Sequence, residues 1–177
     1  MIRPPRCTLA LVRVSAKVDY ALRAIAQIAA DGGSVKAESV SRSQNIPQSF
    51  LLGILRELTR GHLLRSHRGS DGGYQLARAP EQITLADVMR VIDGPLVNLR
   101  DSSIRDLDYD GPSEALEDVW MAVRSSVRSV LETVTVADLV SGRLPAPVRT
   151  LARTYVESEL GRHGRPAAAA GGRTART

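Results

Sequence analysis

Cysteine is almost missing from this chain: one residue, Cys7, in 177. A single thiol excludes an intramolecular disulfide and any cluster built from several cysteines of one chain. Aromatics are nearly as scarce, with Phe50, Trp120 and the four tyrosines Tyr20, Tyr74, Tyr109 and Tyr155 making up 3% of residues. The core must therefore be aliphatic, which suits packed helices. No apolar run approaches the ~20 residues needed to cross a bilayer, and the apolar part of "MIRPPRCTLALVR" is short for a secretory signal. A soluble, cytoplasmic protein without membrane contact is expected.

Catalytic patterns are equally thin. His62, His67 and His163 have no metal-ligand spacing between them, and no GxSxG nucleophile motif occurs. Seven acids crowd residues 101–118 (Asp101, Asp106, Asp108, Asp110, Glu114, Glu117 and Asp118), but their spacing is not that of a calcium-binding loop. They read as a solvated linker, and Cys7 as an inert residue on a loose end. No catalytic residue and no metal ligand is expected.

What the chain does have is unevenly placed charge. Its formal net charge of +5 comes from the ends: residues 1–13 hold three arginines, residues 161–177 hold four, and neither stretch has an acid. Without those seven, 17 basic residues face 19 acids. Any nucleic-acid contact must then come from a local patch. One exists at residues 56–78, where Arg56, Arg60, Arg65, Arg68 and Arg78 are joined by His62 and His67 against Glu57 and Asp71.

Periodicity gives that patch a scaffold. Val18, Ala21, Leu22, Ile25, Ile28 and Ala29 recur at helical spacing, with Ser15 placed to cap the helix and Gly32-Gly33 to end it. A short helix through Ala37 and Val40 stops at Asn45. "PQSFLLGILRELTRG" follows, with Leu51, Ile54, Leu55 and Leu58 as its buried stripe. Two short helices around a tight turn form a helix-turn-helix signature. "HLLRS" and "YQLAR" then read as two strands around the glycine-rich "HRGSDGG". A phosphate-cradling loop runs from a strand into a helix; this one runs into a second strand, so its glycines belong to a hairpin tip. The fold class is mainly α with a small β-hairpin wing: a winged helix-turn-helix domain plus a long helix.

"TLADVMRVIDGP" is a helix with a Thr84–Asp87 capping box, and Thr135 with Asp138 offers another. Between them "SEALEDVWMAVRSSVRSVLETV" carries Leu116, Val119, Trp120, Val123, Val127, Val130 and Leu131 on one stripe, which needs a partner surface. The expected division is an N-terminal extension (1–13), the winged domain (14–94), an acidic linker (95–113), the long-helix region (114–142), an amphipathic segment (143–160) and a disordered basic tail (161–177).

In this frame the exposed early positions of the second motif helix face DNA. Gln48 can pair with adenine through its amide, Ser49 can hydrogen-bond, and Leu52 can only make apolar contact, as with a thymine methyl. Gly53 shares that face, and Arg56 and Arg60 lie further along. Lys17 and Tyr20 are placed for phosphate contact. Arg68, at the hairpin tip, is placed for the minor groove, where narrow geometry concentrates negative potential.

The segments "VRVSAKVDYALRAI", "SVSRSQNIPQSFLLGILRELTRGHLLRSHRGSDGGYQLAR" and "ITLADVMRVIDGP" resemble the Rrf-two family of bacterial winged-helix regulators, over about Val14 to Val140. The resemblance implies a homodimeric repressor on double-stranded DNA with a near-palindromic operator. It also implies that Leu116, Val119, Trp120, Val123, Val127 and Val130 cross their twins in the dimer. Members that hold an iron–sulfur cluster carry three cysteines where this chain has "PLVNLRDSSIRDLDYDGPSEALEDVW", which has none. The chain is thus similar to the cysteine-free, CymR-like branch, which implies no cofactor and regulation through an enzyme partner or a small-molecule effector. A second departure is Leu52-Gly53, where cluster-binding members commonly have glutamate and glutamine; mid-helix Gly53 costs roughly 1 kcal/mol against alanine. Family chains typically begin with the equivalent of "MRVSAK"; here "VRVSAK" begins at Val12, so residues 1–11 are expected to be an over-extended gene start.

Overall fold

In the computed structural model the chain is described over residues 14–69, 72–94 and 109–163. The N-terminal extension with Cys7, residues 95–108 of the linker and the tail from residue 164 lie outside them. The chain forms two compact units, divided between Arg143 and Leu144.

The first unit is built around helix α1 (Ala16–Asp31). Ser15 caps it by accepting from the Val18 amide at 3.1 Å, and Gly32 ends it at φ 65°. Helix α2 (Ala37–Gln44) stops where Asn45 takes the left-handed conformation, and α3 (Gln48–Arg60) starts directly after Pro47. That sharp turn between α2 and α3 completes the helix-turn-helix. Val18, Ala21, Ala24, Ile25 and Ile28 of α1 and Leu51, Ile54, Leu55 and Leu58 of α3 are buried together with Val40, Ile46, Leu63 and Leu64. No polar or charged residue is buried among the described residues. The aliphatic core anticipated from the few aromatics is what forms.

The hairpin consists of β1 (Leu64–His67) and β2 (Gly73–Leu76), antiparallel, with Leu64 opposite Leu76 and Ser66 opposite Tyr74. The strands are offset from "HLLRS" and "YQLAR". His62 lies at φ 57°, in the turn that closes α3, with the Leu63 amide bonded back to the Leu58 carbonyl at 3.0 Å. It is therefore a helix terminator rather than a strand residue. A third edge escaped the sequence reading: Val35 bridges Tyr74 through two 2.8 Å backbone bonds, tying the α1–α2 connection to the wing. Gly73 is needed for that contact, because a Cβ there would lie 2.6 Å from the Val35 carbonyl oxygen.

After a 3-10 turn at Pro80–Gln82, helix α4 (Leu85–Asp93) begins at the Thr84–Asp87 capping box. A second 3-10 turn, Gly111–Ser113, leads into α5 (Leu116–Leu131), and the short α6 (Val136–Ser141) starts at the Thr135–Asp138 box. The two caps lie back to back: the Leu85 amide donates to the Val134 carbonyl at 3.0 Å and the Val136 amide to the Ile83 carbonyl at 2.9 Å. Asp138 is held below its ordinary carboxylate range by the Thr135 amide and hydroxyl. Buried Val134 and Val136 fasten this junction to the core. Glu132, just past α5, takes hydrogen bonds from Arg128 and from Arg90 on α4, which hold its carboxyl below the ordinary 4.5. The C-terminal end of α5 is thus anchored, while α5 itself has no buried residue in the single chain.

The second unit contains α7 (Ala146–His163), with Pro147 in its first turn, where a missing amide hydrogen costs nothing. Leu151 and Val156 are exposed on it. The helix runs to His163, so residues 161–163, placed in the tail by the sequence reading, are helical. No helix of the described residues is long and apolar enough to cross a membrane.

Candidate nucleic-acid interface

Helix periodicity sorts α3 into two faces. Leu51, Ile54, Leu55 and Leu58 turn inward, so Ser49, Gly53, Arg56 and Arg60 fall at the centre of the outward face, with Leu52 on one flank and Phe50 on the other. Gln48, Ser49, Leu52, Arg56 and Arg60 are all exposed. The first turn contains no acid and has no side-chain cap. Its uncapped amides give this end a local positive potential.

The wing closes one side of this face. Leu52, Arg56, Thr59 and Arg60 of α3 and Ser66 and Tyr74 of the hairpin line an open groove of about 200 Å³. Strand alternation puts Ser66 and Tyr74 on the groove side and Arg65, His67 and Gln75 on the other. The Gln75 side-chain amide nitrogen lies 2.6 Å from His67 Nε2, linking the two strands on that far side. Arg68 follows β1 directly and is exposed, with no ion pair among the described residues. Gly69 next to it sits at φ 116°, a conformation that suits glycine, and accepts from the Gly72 amide at 3.0 Å to close the tip.

The run of arginines therefore divides. Arg56 and Arg60 share the outward face of α3, Arg68 stands at the tip, Arg65 lies on the far side of the hairpin, and Arg78 faces Asp87 at 3.8 Å. Linear charge density made one patch of five; the fold leaves three of them free to face a ligand beside α3.

Lys17 and Tyr20 are engaged inside the protein. The Lys17 ammonium lies 2.7 Å from Glu57, with both side chains 34% exposed. This ion pair neutralises the only acid on α3, so no carboxylate there opposes a polyanion. Tyr20 meets Phe50 edge to face, with ring centroids 5.7 Å apart, and the Arg23 guanidinium lies 5.6 Å from the Tyr20 centroid. Arg23 also reaches the carbonyl and side chain of Gln44 at the end of α2. These contacts set the angle of the second helix against the first. Phe50, Arg23 and Tyr74 went unremarked as neighbours of the interface in the sequence reading. The first-turn position of Phe50 was the available signal; the others depend on tertiary pairing.

On the α5 stripe, Leu116 and Val119 are exposed and Trp120, Val123, Val127 and Val130 are half-buried. The Trp120 indole nitrogen is shut from water without a hydrogen-bond partner among the described residues. Elsewhere in the first unit, Ala29, Pro80, Glu81, Ala137, Asp138, Val140 and Ser141 line an open cleft of about 370 Å³.

Residues 14–142 match the family model Rrf2, described as an iron-dependent transcriptional regulator. The chain is 50% identical over 155 residues to a Mycobacterium tuberculosis protein named an HTH-type transcriptional regulator, covering 86% of this chain and 96% of that one. Among solved structures it is similar to CymR, the global cysteine regulator of B. subtilis, with a TM-score of 0.64 and 28% identity over 73% of this chain and 97% of that one. It is also similar to T. potens IscR, with a TM-score of 0.61 and 29% identity over 74% and 88% of the two chains. An iron–sulfur cluster held by several thiolates of one chain does not fit a sequence with one cysteine. The one cysteine precedes the matched region, and no three histidine, cysteine or acidic side chains among the described residues lie together to hold a metal. With the helix-turn-helix, the wing and the exposed α3 face in place, the chain belongs to the Rrf2 (Rrf-two) family of DNA-binding transcriptional regulators.

Proposed function

We propose that the protein is a homodimeric repressor that binds a near-palindromic operator without an iron–sulfur cluster. The observation that carries this reading is the joining of the acid-free first turn of α3, Arg56, Arg60 and the Arg68 tip around one outward face. Gln48 and Ser49 read base edges in the major groove, Leu52 makes apolar contact, and Arg56 and Arg60 bind phosphate. Arg68 enters the adjacent minor groove. Lys17 and Tyr20 contribute from the side of α1, where Lys17 keeps Glu57 neutralised.

The dimer follows from α5. A helix with no fully buried residue in the single chain that carries Leu116, Val119, Trp120, Val123, Val127 and Val130 along one side, the first two exposed, requires a covering surface. A second copy of α5 supplies it, and its two-fold axis matches the two half-sites of a palindrome. One feature favours an effector-responsive form of this regulator, the cleft between Ala29, Pro80 and α6; loss of operator affinity on adding the molecule is its signature.

Selection of genomic fragments by the purified protein at fixed physiological salt tests the reading. A near-palindromic sequence with half-sites about one helical turn apart or more is the expected product. Recovery of fragments with no shared sequence contradicts it.

A further inference from the structure

Gly53 has no reason to be glycine that the protein itself supplies. It sits inside α3, where glycine is a poor helix former because it loses the most backbone freedom on folding. Among the ten glycines whose surroundings are described, Gly32, Gly33, Gly69, Gly94, Gly111 and Gly142 have positive φ. At Gly61, Gly72 and Gly73 a Cβ would strike a neighbour at 2.8 Å or closer. Gly53 alone in that set has ordinary helical backbone and open space, with nothing within 4 Å of a built Cβ. Alanine would fit the folded chain and favour the helix, so the bare backbone serves something outside the chain.

Its surroundings say what. Gly53 lies mid-way along the outward face, one turn from Ser49 and beside Arg56. On its flanks stand two of the few large apolar side chains left open to water, Phe50 at 45% and Leu52 at 37% exposure. Phe50 is braced by Tyr20, and Leu52 stands at the rim of the groove beside the wing. A bare stretch of helix between two apolar walls is a poor seat for phosphate and a good one for an apolar group that must come close. In the major groove the apolar group on a base edge is the thymine C5-methyl.

Resting on the proposed reading of DNA by α3, we infer that Gly53 is a specificity-determining position. Its missing side chain lets α3 approach one A·T pair in each half-site, with the thymine methyl between Phe50 and Leu52. Gly53 then trades helix stability for the close approach.

The test joins thermal unfolding to titration of the selected operator by wild type and Gly53→Ala, with deoxyuridine replacing thymidine one position at a time. Gly53→Ala should raise the melting temperature by about 2–4 °C. It should weaken operator binding by about tenfold, the scale of one lost base-pair contact, with little effect on non-specific DNA. One thymine per half-site should be uracil-sensitive by about fourfold in the wild type, the worth of one buried methyl group, and insensitive in Gly53→Ala. A stabilised variant with unchanged operator affinity overturns the inference, as does a destabilised variant or the absence of a uracil-sensitive thymine. Those results leave the operator reading standing, whereas a wild-type protein that selects no site removes both.

Discussion

Val119→Asp is expected to convert the protein from a dimer to a monomer at micromolar concentration, with operator affinity falling at least 100-fold. Val119 is 50% exposed in the single chain, so aspartate there is solvated and the fold is little disturbed. In the proposed dimer the same position is covered by its twin, and two-fold symmetry would place the new charge in the interface twice. A buried, unpaired carboxylate costs several kcal/mol even after relaxation, and about 2.7 kcal/mol is already 100-fold in a dissociation constant. Loss of the dimer carries DNA binding with it, because the second half-site is then no longer held at high effective concentration. Sedimentation equilibrium checks the assembly, and thermal unfolding in the same buffer checks the fold. A variant that remains dimeric means that α5 is covered by something other than its twin.

Arg68→Ala should lower specific affinity by about 1–3 kcal/mol, or 5- to 150-fold, at fixed salt. The side chain stands at a tip closed by Gly69 and Gly72 and makes no ion pair among the described residues, so its removal breaks none of the described ion pairs. The loss belongs to the complex. Arg68→Lys separates charge from shape: it keeps the phosphate-directed attraction and the salt dependence but not the planar guanidinium that suits a narrow minor groove. It should therefore recover part of the affinity and less of the sequence preference. Equal binding by all three proteins in a titration against salt would remove the wing from the interface.

Much of the frame is visible in the chain because local physics writes it there. Ser15, Thr84 and Thr135 cap helices by short-range hydrogen bonds, and the stripe Leu51, Ile54, Leu55 and Leu58 follows from helix periodicity alone. The hairpin was legible in kind but not in register, since His62 could serve a strand or a left-handed helix terminus until the tertiary structure chose. The Val35–Tyr74 bridge joins residues 39 apart, and no local signal announces such a pairing.

The site shows the same division. Exposure of Gln48, Ser49 and Leu52 follows from helical phase. The engagement of Lys17 by Glu57 and the edge-to-face contact of Phe50 with Tyr20 depend on how α1 crosses α3, a long-range property. Gly53 is instructive in another way. Sequence alone registers its helix penalty; only the open space around it shows that the penalty has no internal cause.

The most direct test of the account places a DNA-cleaving iron chelate on a single introduced cysteine, in a Cys7→Ser background, at Ser49 or at His67. Bound to the selected operator, the protein labelled at residue 49 should cut within the major groove of each half-site. Labelled at residue 67, it should cut in the neighbouring minor groove, with both patterns repeated across the two-fold axis. Cleavage from neither position, with the operator still bound, would place the DNA on another face of the protein and contradict the assignment of α3 and the wing.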